Sequence, residues 1–152
     1  PERIEEIIEQ VFMENSRHVL VCNVTIREPG LPTSWTDKDL LEHYNTDVLG
    51  AFRCVKEVLP SQIAQGIGTI LFTGGGFSIH PMAEYSCVSI DKAALRSLAC
   101  TLHQELKEKG IFVGIVTIMG NVVPETHYAP EKIAEVYWKM YQERKVWEYI
   151  YQ

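Results

Sequence analysis

Apolar runs and amphipathic segments alternate along the whole chain. Short runs rich in Val, Ile, Leu and Phe are typical of buried strands, and longer segments with apolar residues at helical spacing are typical of helices. The pattern predicts the order α, β, α, β, α, β, α, β. Such alternation favours a single α/β domain over residues 1–152, with a parallel sheet and helices on both faces. The predicted strands cover residues 18–26, 69–73, 111–118 and 147–151, and the predicted helices cover residues 1–15, 37–58, 84–109 and 130–141.

Single residues mark the ends of the predicted helices. Thr36 is expected to cap the second helix, and Pro60 is expected to end it. Gly110 has the place of a glycine just past the end of the third helix, and Pro130 is suited to begin the fourth. Gly50 lies inside the second helix, where glycine costs about 1 kcal/mol relative to alanine. We therefore expect another backbone to pack closely against Gly50.

Residues 68–120 form the central predicted unit, in which a strand, a glycine-rich loop, a helix and a second strand are joined by a parallel crossover. Open α/β sheets bind their ligands outside the carboxyl ends of the strands. We therefore expect segments 74–85 and 119–127 to share one rim, and any functional site to lie there. The glycine triplet at residues 74–76 has two interpretations. It is either a tight exit from the strand or a place where a ligand or another chain segment approaches closely.

Composition narrows the functional classes. The chain has 152 residues, of which 46% are hydrophobic, and its net charge is −6. No basic stripe indicates a nucleic-acid partner, and no apolar run approaches the roughly 18 residues of a membrane span. Four cysteines in apolar contexts lack metal or redox spacing, which favours structural thiols and no metal. We expect a reducing, cytoplasmic location, since no secretory signal is visible.

Five stretches, in fitting order and at fitting intervals, resemble the short-chain dehydrogenase/reductase family. VLVCNVTI resembles the family's strand that ends in Asn-Asn-Ala-Gly, and DVLGAF resembles the Asn-x-x-Gly turn of the following helix. GTILFTGG resembles the strand that ends in a Ser pair, and DKAALRSLACTLHQEL resembles the helix that carries Tyr-x-x-x-Lys. IMGNVV resembles the Pro-Gly segment beside the nicotinamide. The resemblance implies a Rossmann-like, three-layer αβα fold. It matches the later part of that fold, so we expect the family's N-terminal βαβ portion, with its phosphate-binding glycine loop, upstream of residue 1.

The resemblance also implies a catalytic set, which this chain retains only in part. The family uses a Tyr as acid or base, a Lys one helical turn on, a Ser that orients the substrate oxygen and an Asn that supports a relay water. Lys92 matches the Lys. Val88 stands at the Tyr position, Gly75 at the Ser position and Asp47 at the Asn position. Val88 and Gly75 have no proton to give, so the usual acid–base step cannot run on them.

Three residues are the catalytic candidates: Lys92, Asp47 and Tyr85. Lys92 either keeps the family's ribose contact or extends its stem along apolar neighbours. Asp47 either binds the relay water in place of the Asn or is only a polar residue of the helix. Tyr85 lies seven residues before Lys92, which separates their Cα atoms by roughly 10 Å on a helix, too far for Lys92 to tune it directly. Tyr85, His80 and Ser78 are more simply interpreted as packing, loop and turn residues.

The implied cofactor is NAD or NADP, and the choice between them is expected upstream of this chain. By resemblance, the candidate cofactor-binding residues are Asn23, Lys92, Gly74, Gly120 and Val122.

Three functions remain open. The first is an atypical NAD(P)-dependent oxidoreductase acting on a small-molecule carbonyl or alcohol. The second is a dinucleotide-binding sensor without turnover, and the third is an oligomeric scaffold. The family commonly packs its 37–58 and 84–109 helices against a second subunit, which implies a homodimer or homotetramer. The candidate interface residues are Phe52, Leu95, Leu98 and Leu102, with the core as the alternative place for the same residues.

Overall fold

A four-stranded parallel sheet organises the computed structural model, which describes residues 19–152. The strands are β1 (Val19–Cys22), β2 (Gly68–Gly75), β3 (Ile111–Ile118) and β4 (Glu148–Tyr151), and their spatial order is their chain order. The helix predicted over residues 1–15 lies outside the described residues. The other predicted strands and helices are all present.

The helices are α1 (Asp37–Tyr44), α2 (Gly50–Gln65), α3 (Ser86–Leu106) and α4 (Pro130–Glu143). A π-helical turn, Asn45–Leu49, joins α1 to α2 in one continuous rod. The last strand, predicted over residues 147–151, is confirmed to within one residue. Among residues 19–152, no helix has both the length and the apolar character that crossing a membrane requires.

Alternate residues of the central strands face two separate cores. Ile70 and Phe72 of β2 face α2 and α3, whereas Leu71 faces α4. All eight residues of β3 are buried, as expected for a parallel strand covered on both faces. Helices therefore cover both sides of the sheet, and the Rossmann-like three-layer prediction is confirmed. The core against α2 and α3 consists of Val55, Val58, Ile70, Phe72, Leu95, Ala99, Leu102, Leu106, Ile111, Val113 and Ile115. The core against α4 consists of Leu71, Phe112, Val116, Ile118, Ile133, Val136 and Met140.

Local signals correctly predicted most helix ends. Thr36 caps α1 in a capping box with Asp39, and Pro130 is the first residue of α4. Gly110 adopts a φ of +78°, which glycine reaches without steric strain.

The prediction that Pro60 ends the second helix was wrong. Helix α2 continues through Pro60 to Gln65 and ends at Gly66, where φ is +67°. Val55, Val58 and Gln62 are buried on one side of α2, at positions three and four residues apart. This buried stripe continues past Pro60, so tertiary packing outweighs the loss of one helical hydrogen bond.

Strand β1 is shorter than the predicted 18–26 segment. It pairs with β2 only over Val19–Cys22. Beyond that point the backbone is held by a side chain instead of by the sheet, because Ile26 N donates to Asp47 Oδ1 at 2.8 Å.

Among residues 19–152, the expected close packing of another backbone at Gly50 is not found. Within this part of the chain, a Cβ at Gly50 would meet only Asn45 O, at an ordinary 3.6 Å. Of the candidate interface residues, Leu95 and Leu102 lie in the core, which was the alternative for them, whereas Phe52 is exposed.

Candidate active site

Lys92 lies buried where β2 approaches its carboxyl end. Its Nζ donates to the carbonyl of Thr73 at 3.0 Å. Only 6% of the residue is exposed, although it is a lysine. Burial lowers the pKa of Lys92, and the charges of Asp47 and Asp91 act in the opposite direction. The site therefore contains an ammonium that is oriented by backbone and gives up its proton more readily than one on the surface.

Adjacent glycines at the end of β2 have different surroundings. A Cβ at Gly75 would stand 3.8 Å from Lys92 Cγ, an ordinary contact. A Cβ at Gly74 would stand 2.9 Å from Thr117 Oγ1 and 3.1 Å from Ile115, which is too close. Gly74 is thus required by packing, whereas Gly75 leaves space beside the lysine. Gly75 O also accepts a hydrogen bond from Ser78 Oγ at 2.8 Å.

Asp47 fixes the loop that follows β1. It lies in the π-helical turn, is almost fully buried, and accepts hydrogen bonds from Thr25 Oγ1 and from Ile26 N. A π-helical turn inside an α-helix often marks a functional position. Here it places a carboxylate whose charge acts on both Lys92 and Asp91.

Tyr85 is part of a stack that closes the rim. It stands at the N-cap of α3 with φ −130° and ψ 47°, so the helix does not extend back to it. Its ring stacks on Phe77 with centroids 5.5 Å apart, and the Arg27 guanidinium lies 5.5 Å from the Tyr85 centroid. Arg27 also donates to Asn121 Oδ1 at 3.1 Å. The loops after β1, β2 and β3 are therefore joined around Arg27.

Asn23 lines a cavity of about 380 Å³ beside β1, together with Asp47. The wall is largely apolar and includes Cys22 and Cys54. All four cysteines of the chain are free, and burial raises the pKa of the Cys22 thiol to about 12. Such a thiol is protonated at neutral pH, so it is not a nucleophile there.

The last two cofactor candidates follow β3. Gly120 lies under the ring of Tyr128, and a Cβ at this position would overlap the ring. Val122 is exposed in the loop that follows. Gly120 thus has a packing role in holding this loop, and Val122 has a free side chain at the rim.

Sequence reasoning missed a buried pair beside this site. His43 of α1 and Asp91 of α3 are both almost fully buried, and His43 Nδ1 lies 4.0 Å from Asp91 Oδ2. On the outer side, His43 Nε2 lies 3.7 Å from Glu28 Oε2. Burial, followed by the charge of Asp47, raises the pKa of Asp91 to about 6. The available signals were the four-residue spacing of His43 and Asp47 and the position of Asp91 next to Lys92.

Thr73 was also missed. Its carbonyl accepts from Lys92, and its hydroxyl lies 2.5 Å from the hydroxyl of Tyr137 on the other side of the sheet. One backbone position therefore ties α3 to α4. Within residues 19–152, no group of three or more His, Cys, Asp or Glu side chains is arranged to hold a metal ion.

The sequence as a whole matches a known family. Residues 1–132 match the family model described as short chain dehydrogenase. The chain is 27% identical over 135 residues to the 3-oxoacyl-(acyl-carrier-protein) reductase FabG of Thermotoga maritima, an alignment that covers 88% of this chain and 55% of that protein. The chain thus spans about half or less of the length of the curated relatives it matches.

Solved structures match the fold closely at low identity. A 4-hydroxyisoleucine dehydrogenase complexed with NADH and succinate superposes with a TM-score of 0.86 at 19% identity, covering 98% of this chain and 73% of that one. A short-chain dehydrogenase from Sphingobium yanoikuyae in complex with NADPH gives 0.81 at 19% identity, covering 99% and 63%. These structures establish the fold, and the match over residues 1–132 establishes the family: the chain belongs to the short-chain dehydrogenases.

Proposed function

We propose that this chain is the substrate-side part of a nicotinamide-dinucleotide-dependent oxidoreductase in which Lys92 supplies the proton. The observation that carries the proposal is the buried ammonium of Lys92, held by Thr73 O at 3.0 Å beside the space at Gly75. By resemblance, these are the Lys and Ser positions of the family's catalytic set. The NADH and NADPH named for the two solved structures support a nicotinamide cofactor.

The described residues suit a flat ring at the rim. A Cβ at Gly75 would have the Lys92 stem as its nearest neighbours, at 3.8 to 3.9 Å, so this side of the strand end is open for close approach. Asn23, Gly74, Gly120 and Val122 are the remaining candidates for holding the dinucleotide. A bound dinucleotide would supply or accept the hydride.

Lys92 is the proposed proton donor because the family's Tyr position cannot act. Val88 is buried there and carries no exchangeable proton. A general acid works best when its pKa is near the working pH, and burial moves the pKa of Lys92 in that direction. In the reductive direction, Lys92 Nζ gives its proton to the oxygen of the reduced carbonyl. The Thr73 carbonyl orients Nζ, and Asp47 keeps the loop after β1 in place.

A second candidate is a dinucleotide-binding protein without turnover. The same Lys92–Thr73 hydrogen bond favours it, because a lysine bonded to backbone is also suited to hold a ribose or simply to secure the rim. Association as a homodimer or homotetramer through α2 and α3 is compatible with either function, with the exposed Phe52 as a contact.

The test uses the intact protein. Calorimetry with NADH and NADPH measures binding, and a panel of carbonyls and alcohols measures hydride transfer. Lys92→Met keeps the stem and removes the amine, and Lys107→Met is the control at an exposed lysine. We expect Lys92→Met to lose at least about 100-fold in kcat with little change in dinucleotide affinity, and Lys107→Met to behave as wild type.

Each outcome separates the candidates. Binding without hydride transfer by the wild-type protein would favour the second function. Failure to bind any of the dinucleotides would exclude both. Full activity of Lys92→Met would show that another group gives the proton.

A further inference from the structure

We propose that His43 and Asp91 are positioning residues beside Lys92, and that the protonation of Asp91, which His43 faces, controls how readily Lys92 gives up its own proton. The inference deepens the proposed function and rests on the role of Lys92 in it. Neither residue belongs to the catalytic set that the family resemblance implies.

His43 and Asp91 form a buried pair whose side chains face each other. His43 Nδ1 and Asp91 Oδ2 face each other at 4.0 Å, and within residues 19–152 neither of these buried atoms has a hydrogen-bond partner. His43 Nε2 lies 3.7 Å from the carboxylate of Glu28, whose side chain is 64% exposed. Trp35 packs edge-on against the imidazole with ring centroids 5.2 Å apart.

Buried polar atoms are nearly always paired in folded proteins, so two facing atoms without partners require an explanation. Protonation of Asp91 removes its negative charge from the pair. The ionised and protonated states of Asp91 therefore differ by one charge in a region of low dielectric, where a charge acts strongly on its neighbours.

The surrounding charges determine which way the pair acts. Asp91 is ionised above about pH 6, because burial and the charge of Asp47 raise its pKa to that value. The ionised Asp91 raises the pKa of Lys92. When Asp91 takes up a proton, its negative charge no longer raises the pKa of Lys92, so Lys92 gives up its proton more readily than before. The titratable and charged groups that face the pair are Glu28, Asp39, Asp47, Cys87 and Lys92.

The first test does not depend on activity. The side-chain carboxyl of Asp91 is followed by 13C NMR across pH 3 to 9. We expect a midpoint near 6 in the wild-type protein, a higher midpoint in His43→Gln and a lower one in Asp47→Asn, each by at least about half a pH unit. Glu105→Gln, which removes an exposed carboxylate from the same helix, is the control and should leave the midpoint in place.

The second test measures how the charge of Asp91 affects the pH at which Lys92 loses its proton. In Asp91→Asn, the neutral amide mimics the protonated acid, so the alkaline limb of the kcat/KM profile for carbonyl reduction should move to lower pH. Glu105→Gln should not move it.

The outcomes keep the two proposals apart. An Asp91 midpoint near 4 in the wild-type protein would contradict the proposed role of the His43–Asp91 pair. This result does not depend on whether the variants fold. An unmoved alkaline limb in Asp91→Asn would overturn the coupling to Lys92. If the Asp91 midpoint is near 6 but the protein transfers no hydride, the raised pKa of Asp91 is supported and the proposed function is contradicted.

Discussion

Helix α3 carries two buried charge clusters, and they are built in opposite ways. On one side, Arg96 donates from Nε and Nη2 to the two carboxylate oxygens of Glu148, both at 2.7 Å, and Thr117 Oγ1 adds a third bond at 2.7 Å. On the other side, Asp91 and His43 face each other at 4.0 Å with no hydrogen bond. Both carboxylates are largely buried, so burial does not distinguish them.

The presence of donors distinguishes them. Burial raises the pKa of Glu148, but the hydrogen bonds from Arg96 and Thr117 and the Arg96 charge outweigh it, so the pKa ends below its ordinary value. Asp91 has no such donors among the residues that the structure describes, and its pKa rises to about 6. A buried carboxylate with enough hydrogen-bond donors stabilises the fold, and Glu148 in this way links α3, β3 and β4. An unsatisfied one can change its charge near neutral pH.

The largest effect is expected from breaking the satisfied cluster. Arg96→Ala removes both bonds to the carboxylate and leaves Glu148 buried with Thr117 alone. We expect a loss of about 2–3 kcal/mol in the free energy of unfolding, below the range for fully buried pairs because Arg96 is partly exposed. Urea denaturation at pH 7 measures it.

An exposed ion pair provides the control. Lys109 and Glu105 lie 3.5 Å apart near the end of the same helix, with both side chains well exposed. Glu105→Ala should cost no more than about 0.5 kcal/mol. Equal losses in the two variants would mean that Glu148 finds other donors when Arg96 is removed.

The two glycines at the end of β2 allow a more localised comparison. A Cβ at Gly74 would press on Thr117 Oγ1, the donor to Glu148, whereas a Cβ at Gly75 would only touch the Lys92 stem. We expect Gly74→Ala to cost about 1–3 kcal/mol through overpacking. Gly75→Ala should change stability by less than about 0.5 kcal/mol. Thermal unfolding of both variants checks the difference, and a tolerated Gly74→Ala would contradict the packing described around Thr117.

The two carboxylates should also respond to pH with opposite signs. Glu148 has a lowered folded-state pKa, so its stabilising effect is present above its ordinary value of 4.5 and is lost as pH falls through the folded value. Asp91 has a raised pKa, so the unfolded chain releases the proton first and stability declines as pH rises from 3.8 to about 6. Wild-type protein should therefore lose stability relative to Asp91→Asn across that window.

Urea denaturation at a series of pH values measures both effects. Glu148→Gln should be close to wild type in acid and increasingly destabilised as pH rises through 4.5. If the stability of Asp91→Asn ran parallel to wild type from pH 3.8 to 6, the Asp91 carboxyl would have to be paired in the folded protein.

The sequence predicts those features of the fold that depend on neighbouring residues, and it does not predict those that depend on packing between distant segments. Continuous apolar runs predicted β2 and β3, because strands buried on both faces leave that pattern directly. Caps such as Thr36 and Gly110 act within one helical turn, so they too can be read locally. The continuation of α2 through Pro60 depends on packing against the sheet, which no local rule contains.

The candidate site also contains residues that the sequence identifies and residues that only the fold identifies. Lys92 and Asp47 were found because a motif carries them. The pairing of His43 with Asp91 joins residues on different helices, and it exists only because α1 and α3 pack together. In the sequence, Asp91 is the residue directly before Lys92. Its significance comes from burial without a donor, which is a property of the folded chain.

A small stabilising effect is predicted in the helix next to the unsatisfied cluster. Gly50 begins α2 directly after the π-helical turn that holds Asp47, with φ −58° and ψ −50°, and a Cβ there would have space. Gly50→Ala should therefore stabilise the protein by about 0.5–1 kcal/mol, since glycine is a poor helix residue. Gly66→Ala is the contrasting control: it has equal space, but its φ of +67° makes the substitution destabilising. If Gly50→Ala were destabilising in the intact protein, another backbone would have to cover the cavity beside Asp47. The charges acting on Asp91 would then include groups from that covering segment.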